Sequence, residues 1–101
     1  MTEFDAAALV DKGFTLLTGE NGPGWVNAVD PDMVDVRSIF MCPVAQVYGS
    51  YDSGLEILAG YADAFPGHDF ASANGFDAPQ VSEDQYDALD AEWKRRITAT
   101  R

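Results

Sequence analysis

The chain has little cysteine, little histidine, few bases and no long apolar run. Cys42 is the one cysteine among 101 residues, which excludes an internal disulfide and the stapled scaffolds of small secreted domains. His68 is the one histidine, so neither a CxxC pair nor a Cys/His zinc set can be assembled. The longest apolar run, Ile39 to Ala45, contains Pro43 and falls far short of the roughly 20 residues of a membrane span. The opening stretch MTEFDAAALVDKG carries acids where a secretory signal carries bases, and no longer apolar core follows. The expected setting is a reducing cytoplasm.

Scarcity of bases is the most distinctive feature. Seventeen Asp and Glu stand against six Lys and Arg, a net charge of −11. Residues 1–93 hold all seventeen acids and only Lys12 and Arg37 as bases, a local net of −15, whereas KRRITATR at 94–101 holds four bases and no acid. Such a surface repels nucleic acid and anionic lipid and attracts basic partners at low salt. Its simplest role is solubility.

What is present suffices for a core. Apolar residues make up 47% of the chain, with six Phe, four Tyr and two Trp, so one globular domain spanning 1–101 is expected rather than disorder. Residues 3–18 read as a first helix with Phe4, Ala8, Leu9, Lys12, Leu16 and Leu17 on one stripe, flanked by Ala7 and Phe14. Thr2 or Asp5 serves as its cap, and GENGPG at 19–24 as its stop. Trp25–Val29 is open between a helical turn and a short strand that pairs with 35–40, and Asp30 with Pro31 opens a turn between them. Met33 and Val34 are expected to pack inward.

Pro43 suits a helix start and Gly49 a left-handed stop. Ser50 or Asp52 caps a further helix with Tyr51, Leu55 and Leu58 inward, and Gly60 ends or kinks it. Gly54 inside that helix predicts a close neighbouring backbone. A short helix at 69–73 stops at Asn74-Gly75. The last helix is the best marked: Ser82 and Gln85 form an S-x-x-Q box, and Tyr86, Leu89, Trp93 and Ile97 form its buried stripe. Lys94, Arg95 and Arg96 suit the negative end of that helix better than a nucleic-acid footprint.

Candidate chemistry is thin. Cys42 precedes a helix start, where a thiolate gains from the helix dipole, but its neighbours are apolar and burial raises a thiol's pKa. The core reading outweighs the nucleophile. Gln46 is a lone polar residue on an apolar element, suited to satisfying backbone groups at the corner or beside Gly49 ahead of reading a ligand. Asp30, Asp32 and Asp35 fail the calcium-loop pattern, which needs Gly where Asp35 stands and Glu where Met41 stands. No phosphate-cradling glycine loop or HExxH is present, and no cofactor or metal is expected. Asp84, Asp87 and Asp90, spaced along the last helix, are the candidate interaction surface. Trp25, Tyr61 and Phe65 are candidate exposed aromatics.

Trp25, then VDPDMVDV, CPVAQVYGSYDSGLEIL, NGFDA and YDALDAEWKRRI together resemble a group of small acidic proteins of actinobacteriophages and their actinobacterial hosts. The likeness covers most of residues 25–97. Many members of that group carry a second cysteine where Phe40 stands and a histidine where Asn74 stands, so any metal or redox role of that pair would be lost here. The resemblance implies a setting, a phage-type accessory protein in a bacterial host cytoplasm, and no specific activity.

The expected fold is mainly α: a single compact helical domain with a long first helix, a central corner and a long last helix. A small two-stranded element near residues 25–40 would make it α+β. The expected function is non-enzymatic, through binding of a host or phage protein. The alternative is an acidic nucleic-acid mimic that blocks a DNA- or RNA-binding protein. Neither implies direct contact with nucleic acid or membrane.

Overall fold

The computed structural model describes residues 4–101. Five α-helices carry the architecture: α1 Ala6–Asn21, α2 Pro43–Tyr48, α3 Tyr51–Tyr61, α4 His68–Ala73 and α5 Glu83–Thr100. Asp5 starts α1 by accepting the Ala8 N–H at 3.1 Å, satisfying one of the donors every helix start leaves unpaired. Thr2, the other expected cap, lies outside the described residues. The helix runs through Gly19 and stops at Gly22, whose φ is +80°. Its buried line is Val10, Gly13 and Leu17, while Ala8 and Lys12 are exposed, so the inward stripe is rotated by about one residue from the expected one.

Helix α5 packs against α1. Arg96 meets Asp11 at 2.9 Å, and Trp93 meets Gly13. Leu89, Trp93 and Ile97 have no exposed surface, as the spacing predicts, whereas Tyr86, the fourth residue of the expected stripe, is only partly buried. Ser82 caps the start by accepting the Gln85 N–H at 3.2 Å. The Gln85 side chain does not close the box on Ser82 but accepts the Gln80 N–H at 3.0 Å. Because α5 continues to Thr100, Lys94–Arg96 lie inside it rather than in its last turn.

No strand occurs among the described residues. Pro23–Ala28 and Pro31–Met33 are 3₁₀ turns, and residues 35–41 close on themselves, with the Asp35 N–H donating to the Met41 carbonyl at 3.2 Å. Pro23 and Pro31 preset φ for a helical turn. Asp30 then accepts the Asp32 N–H, and Ser38 Oγ accepts those of Phe40 and Met41. Those local bonds consume the donors a ladder would need. The architecture is mainly α. Trp25, Val26, Val29 and Val34 are buried, but Met33 turns outward.

The corner reads as expected. Gly49 takes φ +83°, and Ser50 caps α3 through the Ser53 N–H at 3.4 Å. An ideal Cβ at Gly54 would lie 2.5 Å from Val44 Cγ1 and 2.6 Å from Tyr48 Cδ2, so side chains of α2, not backbone, occupy the space. The Cα radius of gyration is 12.1 Å, against about 13 Å for a compact domain of this length.

Trp93 holds the layers together. Its indole N–H donates to the Gly75 carbonyl at 2.7 Å. The ring stacks on Phe76 at 5.8 Å and meets Trp25 edge-on at 6.5 Å. A Cβ at Gly13 would collide with the Asn74 carbonyl oxygen and press on Phe76 and Trp93. Gly13→Ala should therefore destabilise by about 2 kcal/mol or more through overpacking. Gly60→Ala, with open space around it, should stabilise by up to ~1 kcal/mol. Urea denaturation of the two variants checks these opposite signs.

Candidate functional site

Val36 leaves the buried layer and the chain then swings outward over Arg37, Ser38, Ile39 and Phe40 before Cys42 returns it to the core. Ser38 anchors this turn: its Oγ accepts the N–H groups of Phe40 and Met41, each at 3.1 Å, and its carbonyl accepts the Cys42 N–H at 3.2 Å. Gln46 braces it from α2, donating Nε2–H to the Met41 carbonyl at 2.9 Å and accepting the Asp30 N–H at 2.8 Å. Gln46 thus satisfies backbone groups as expected, but at the 30–41 segment before α2 rather than at the Gly49–Ser50 corner. With the backbone so held, Ile39 and Phe40 stand 59% and 74% exposed. Beside them lies a depression of about 120 Å³ lined by Ile39, Phe40, Gly49, Ser50, Tyr51 and Asp52. Pockets that enclose a drug-sized ligand measure about 300–1,000 Å³, so this one offers a foothold rather than a chamber.

Arg37 ties the turn to α5. Its guanidinium lies 2.6 Å from Glu83, 3.1 Å from Asp87, 3.7 Å from Asp90 and 3.5 Å from Asp35, and its Cζ lies 5.5 Å from the Tyr86 ring centroid. Four carboxylates to one guanidinium leave this shoulder negative. Within it the three aspartates of the candidate surface separate. Asp84 is exposed, whereas Asp87 is committed to Arg37. Asp90 keeps 15% of its side-chain exposure and accepts the Val36 N–H at 2.7 Å. Burial raises Asp90 above the ordinary carboxylate range, opposed by that N–H and by Arg37. The structure therefore does not gather Asp84, Asp87 and Asp90 into one free face.

Cys42 is fully buried, and its Sγ accepts the Ala45 N–H at 3.3 Å as the cap of α2. Burial pushes the thiol up to about 11, against smaller lowering by backbone N–H groups. The dipole advantage noted from the sequence is present but loses to desolvation.

His68 does not approach Cys42 by any hydrogen bond; its Nδ1 lies 3.2 Å from Asp77 Oδ2. Asp77 Oδ1 also accepts from Tyr86 Oη at 2.7 Å and from the Ala78 N–H at 2.8 Å. Desolvation first, and then the bond to Asp77, push Tyr86 up to about 12. A protonated phenol donating to a carboxylate is a strut between the 74–78 turn and α5, not an activated nucleophile. Among the described residues no cluster of His, Cys, Asp and Glu has metal-holding geometry, and no helix is long and apolar enough to cross a membrane. Of the expected exposed aromatics, Trp25 is buried and Tyr61 and Phe65 are exposed.

Compared with protein-family models, curated proteins and solved structures, the chain matches none.

The Ile39–Phe40 turn and the Arg37 clasp escape a reading of the sequence, because both residues of the turn sit in the longest apolar run and suggest core. Two signals point the other way. Ser38 two residues before Phe40 suits a side-chain-closed turn, and Arg37 is the one base between Lys12 and Lys94.

Two outcomes follow. Native protein at neutral pH should react with a thiol reagent orders of magnitude more slowly than protein in denaturing urea. Because the folded state holds the Cys42 proton more tightly than the unfolded chain does, stability should be level below the free-thiol value of 9.0 and fall as pH rises from there towards about 11. Denaturant midpoints across that range check the sign. Separately, Asp90→Ala should cost about 1–3 kcal/mol by stranding the Val36 N–H, whereas Asp84→Ala should stay within about 0.5 kcal/mol, as calorimetry of both variants would read.

Proposed function

We propose that this chain is a non-enzymatic accessory protein that works by binding another protein in a bacterial cytoplasm. The observation that carries the reading is the Ile39–Phe40 turn. Two large apolar side chains are displayed by a backbone pinned on both sides, where a freely moving loop would lay them against the body. Folding gains nothing from that exposure, since burying a Phe or Ile is worth about 1.5–3 kcal/mol. Contiguous apolar surface edged by polar groups is the usual mark of a protein-binding site. The resemblance to phage and host proteins of actinobacteria suggests the cellular setting, and the small depression beside the turn suits a side chain of a partner better than a substrate.

The nucleic-acid mimic is the weaker reading. Mimicry needs acids spaced like phosphates along one free face, and Asp87 and Asp90 are occupied by Arg37 and by the Val36 N–H.

The test is capture of partners by the tagged full chain from an actinobacterial lysate, eluted in salt steps and identified by mass spectrometry. One near-stoichiometric protein that persists above physiological salt is the expected result, because apolar contacts survive screening. A partner released at moderate salt and itself nucleic-acid-binding would favour the mimic. Absence of any stoichiometric protein would overturn the binding reading.

A further inference from the structure

We infer that the Ile39–Phe40 turn is a docking knob for a basic protein: Phe40 and Ile39 enter an apolar pocket on the partner whose rim carries Lys or Arg. The inference rests on the protein-binding reading above and names its surface and the chemistry of its partner.

The knob is preorganised. Ser38 Oγ holds the N–H groups of Phe40 and Met41, and Gln46 Nε2–H holds the Met41 carbonyl. Arg37 fastens the preceding residue to Glu83 and Asp87 on α5. Ordering a loop at an interface costs affinity, and a loop ordered beforehand avoids that cost. An aromatic side chain on such a support is the kind of anchor that dominates binding energy.

Charge selects the occupant. Asp52 lines the depression beside Phe40. At the base of the turn, three residues before Phe40, Asp35, Glu83, Asp87 and Asp90 surround Arg37, a net of −3. A knob with acidic groups at its base and beside its depression meets a basic rim favourably and an acidic one unfavourably. The same field repels nucleic acid and anionic membrane. A second copy of this chain fits less well, because it carries the same net charge of −11 and only Lys12 and Lys94 of its six bases make no ion pair or hydrogen bond among the described residues. Arg95 pairs with Glu92 at 2.7 Å, Arg96 with Asp11 at 2.9 Å, and Arg101 reaches the Val29 carbonyl at 3.2 Å. Phe65 is the rival anchor at 84% exposure. It rests on its own Pro66-Gly67 turn, with Cδ1 3.3 Å from where a Gly67 Cβ would stand, and takes no part in the depression.

The experiment places the photo-crosslinking residue p-benzoylphenylalanine at position 40 of the full chain, and at position 65 in a second sample. Both are irradiated in the lysate used for capture, beside capture by wild type, Phe40→Asp and Phe65→Asp. Unchanged urea midpoints for both Asp variants establish that the fold survives, as exposed positions allow. The expected result is a crosslink from position 40 to one partner, within an apolar peptide flanked by Lys or Arg. Phe40→Asp should capture that partner roughly tenfold to a hundredfold less than wild type, and Phe65→Asp should match wild type. Equal capture by Phe40→Asp, or a crosslink from 65 alone, overturns this surface while the binding reading stands. A crosslinked peptide without bases overturns the charge assignment. A crosslink to a second copy of this chain makes the turn a self-interface and overturns the hetero-partner. No partner captured by wild type overturns both readings.

Discussion

The indole of Trp93 is where the separate parts of this chain meet. Its N–H satisfies the Gly75 carbonyl, which would otherwise be a buried acceptor without a partner and a cost of about 1–3 kcal/mol. Its ring lies between Phe76 and Trp25, so α5, the 74–76 turn and the first 3₁₀ turn are packed by one side chain. Two glycines make that packing feasible. Gly13 lets α1 lie against Asn74, Phe76 and Trp93, and Gly75 at φ +74° brings its own backbone against Leu9 and Val10. Once Trp93 is seated, the direction of α5 is set, and with it the position of the carboxylates at its beginning.

Those carboxylates turn packing into electrostatics. Asp90 lies one turn before Trp93 on α5 and receives the Val36 N–H, while Glu83 and Asp87 reach Arg37. The next residues, Ser38 to Met41, are thereby hung on the outside of the helix as a closed turn. Exposed ion pairs are individually worth little, about 0–1 kcal/mol, so the clasp contributes orientation more than stability. The buried positions on either side, Val36 and Cys42, anchor it to the core. An apolar turn, an acidic shoulder and a shallow depression come from one line of cause that begins in the core.

The residues differ in how openly they declare these roles. Caps and stops are local chemistry, and Asp5, Ser50, Ser82, Gly49 and the Asn74-Gly75 stop all act where the sequence places them. Leu89, Trp93 and Ile97 follow from helical periodicity alone. The α1 stripe was displaced because Gly13, which carries no hydrophobic signal, is the point of closest approach. Residues 25–40 could be read as strands because Val and Ile favour them, yet prolines and side-chain-to-backbone bonds decide for turns. Of the candidate site, the burial of Cys42 was legible, and so was the backbone-satisfying role of Gln46, though not which backbone it serves. The display of Ile39 and Phe40 was not, since an apolar pair in an apolar run looks the same whether it is packed or presented.

By itself the sequence determined most of the helix caps, most of the buried line of α5, the acidic charge and the exclusion of an internal disulfide. Each depends on residue type or on spacing within one turn. The tertiary structure decided which acids are free and which are spoken for, that the thiol is out of reach, and that one apolar pair faces solvent. Those outcomes depend on groups 46 to 54 residues apart, Arg37 with Glu83 and Val36 with Asp90. Only the seating of Trp93 against Gly13, Gly75 and Phe76 brings such distant groups within bonding distance.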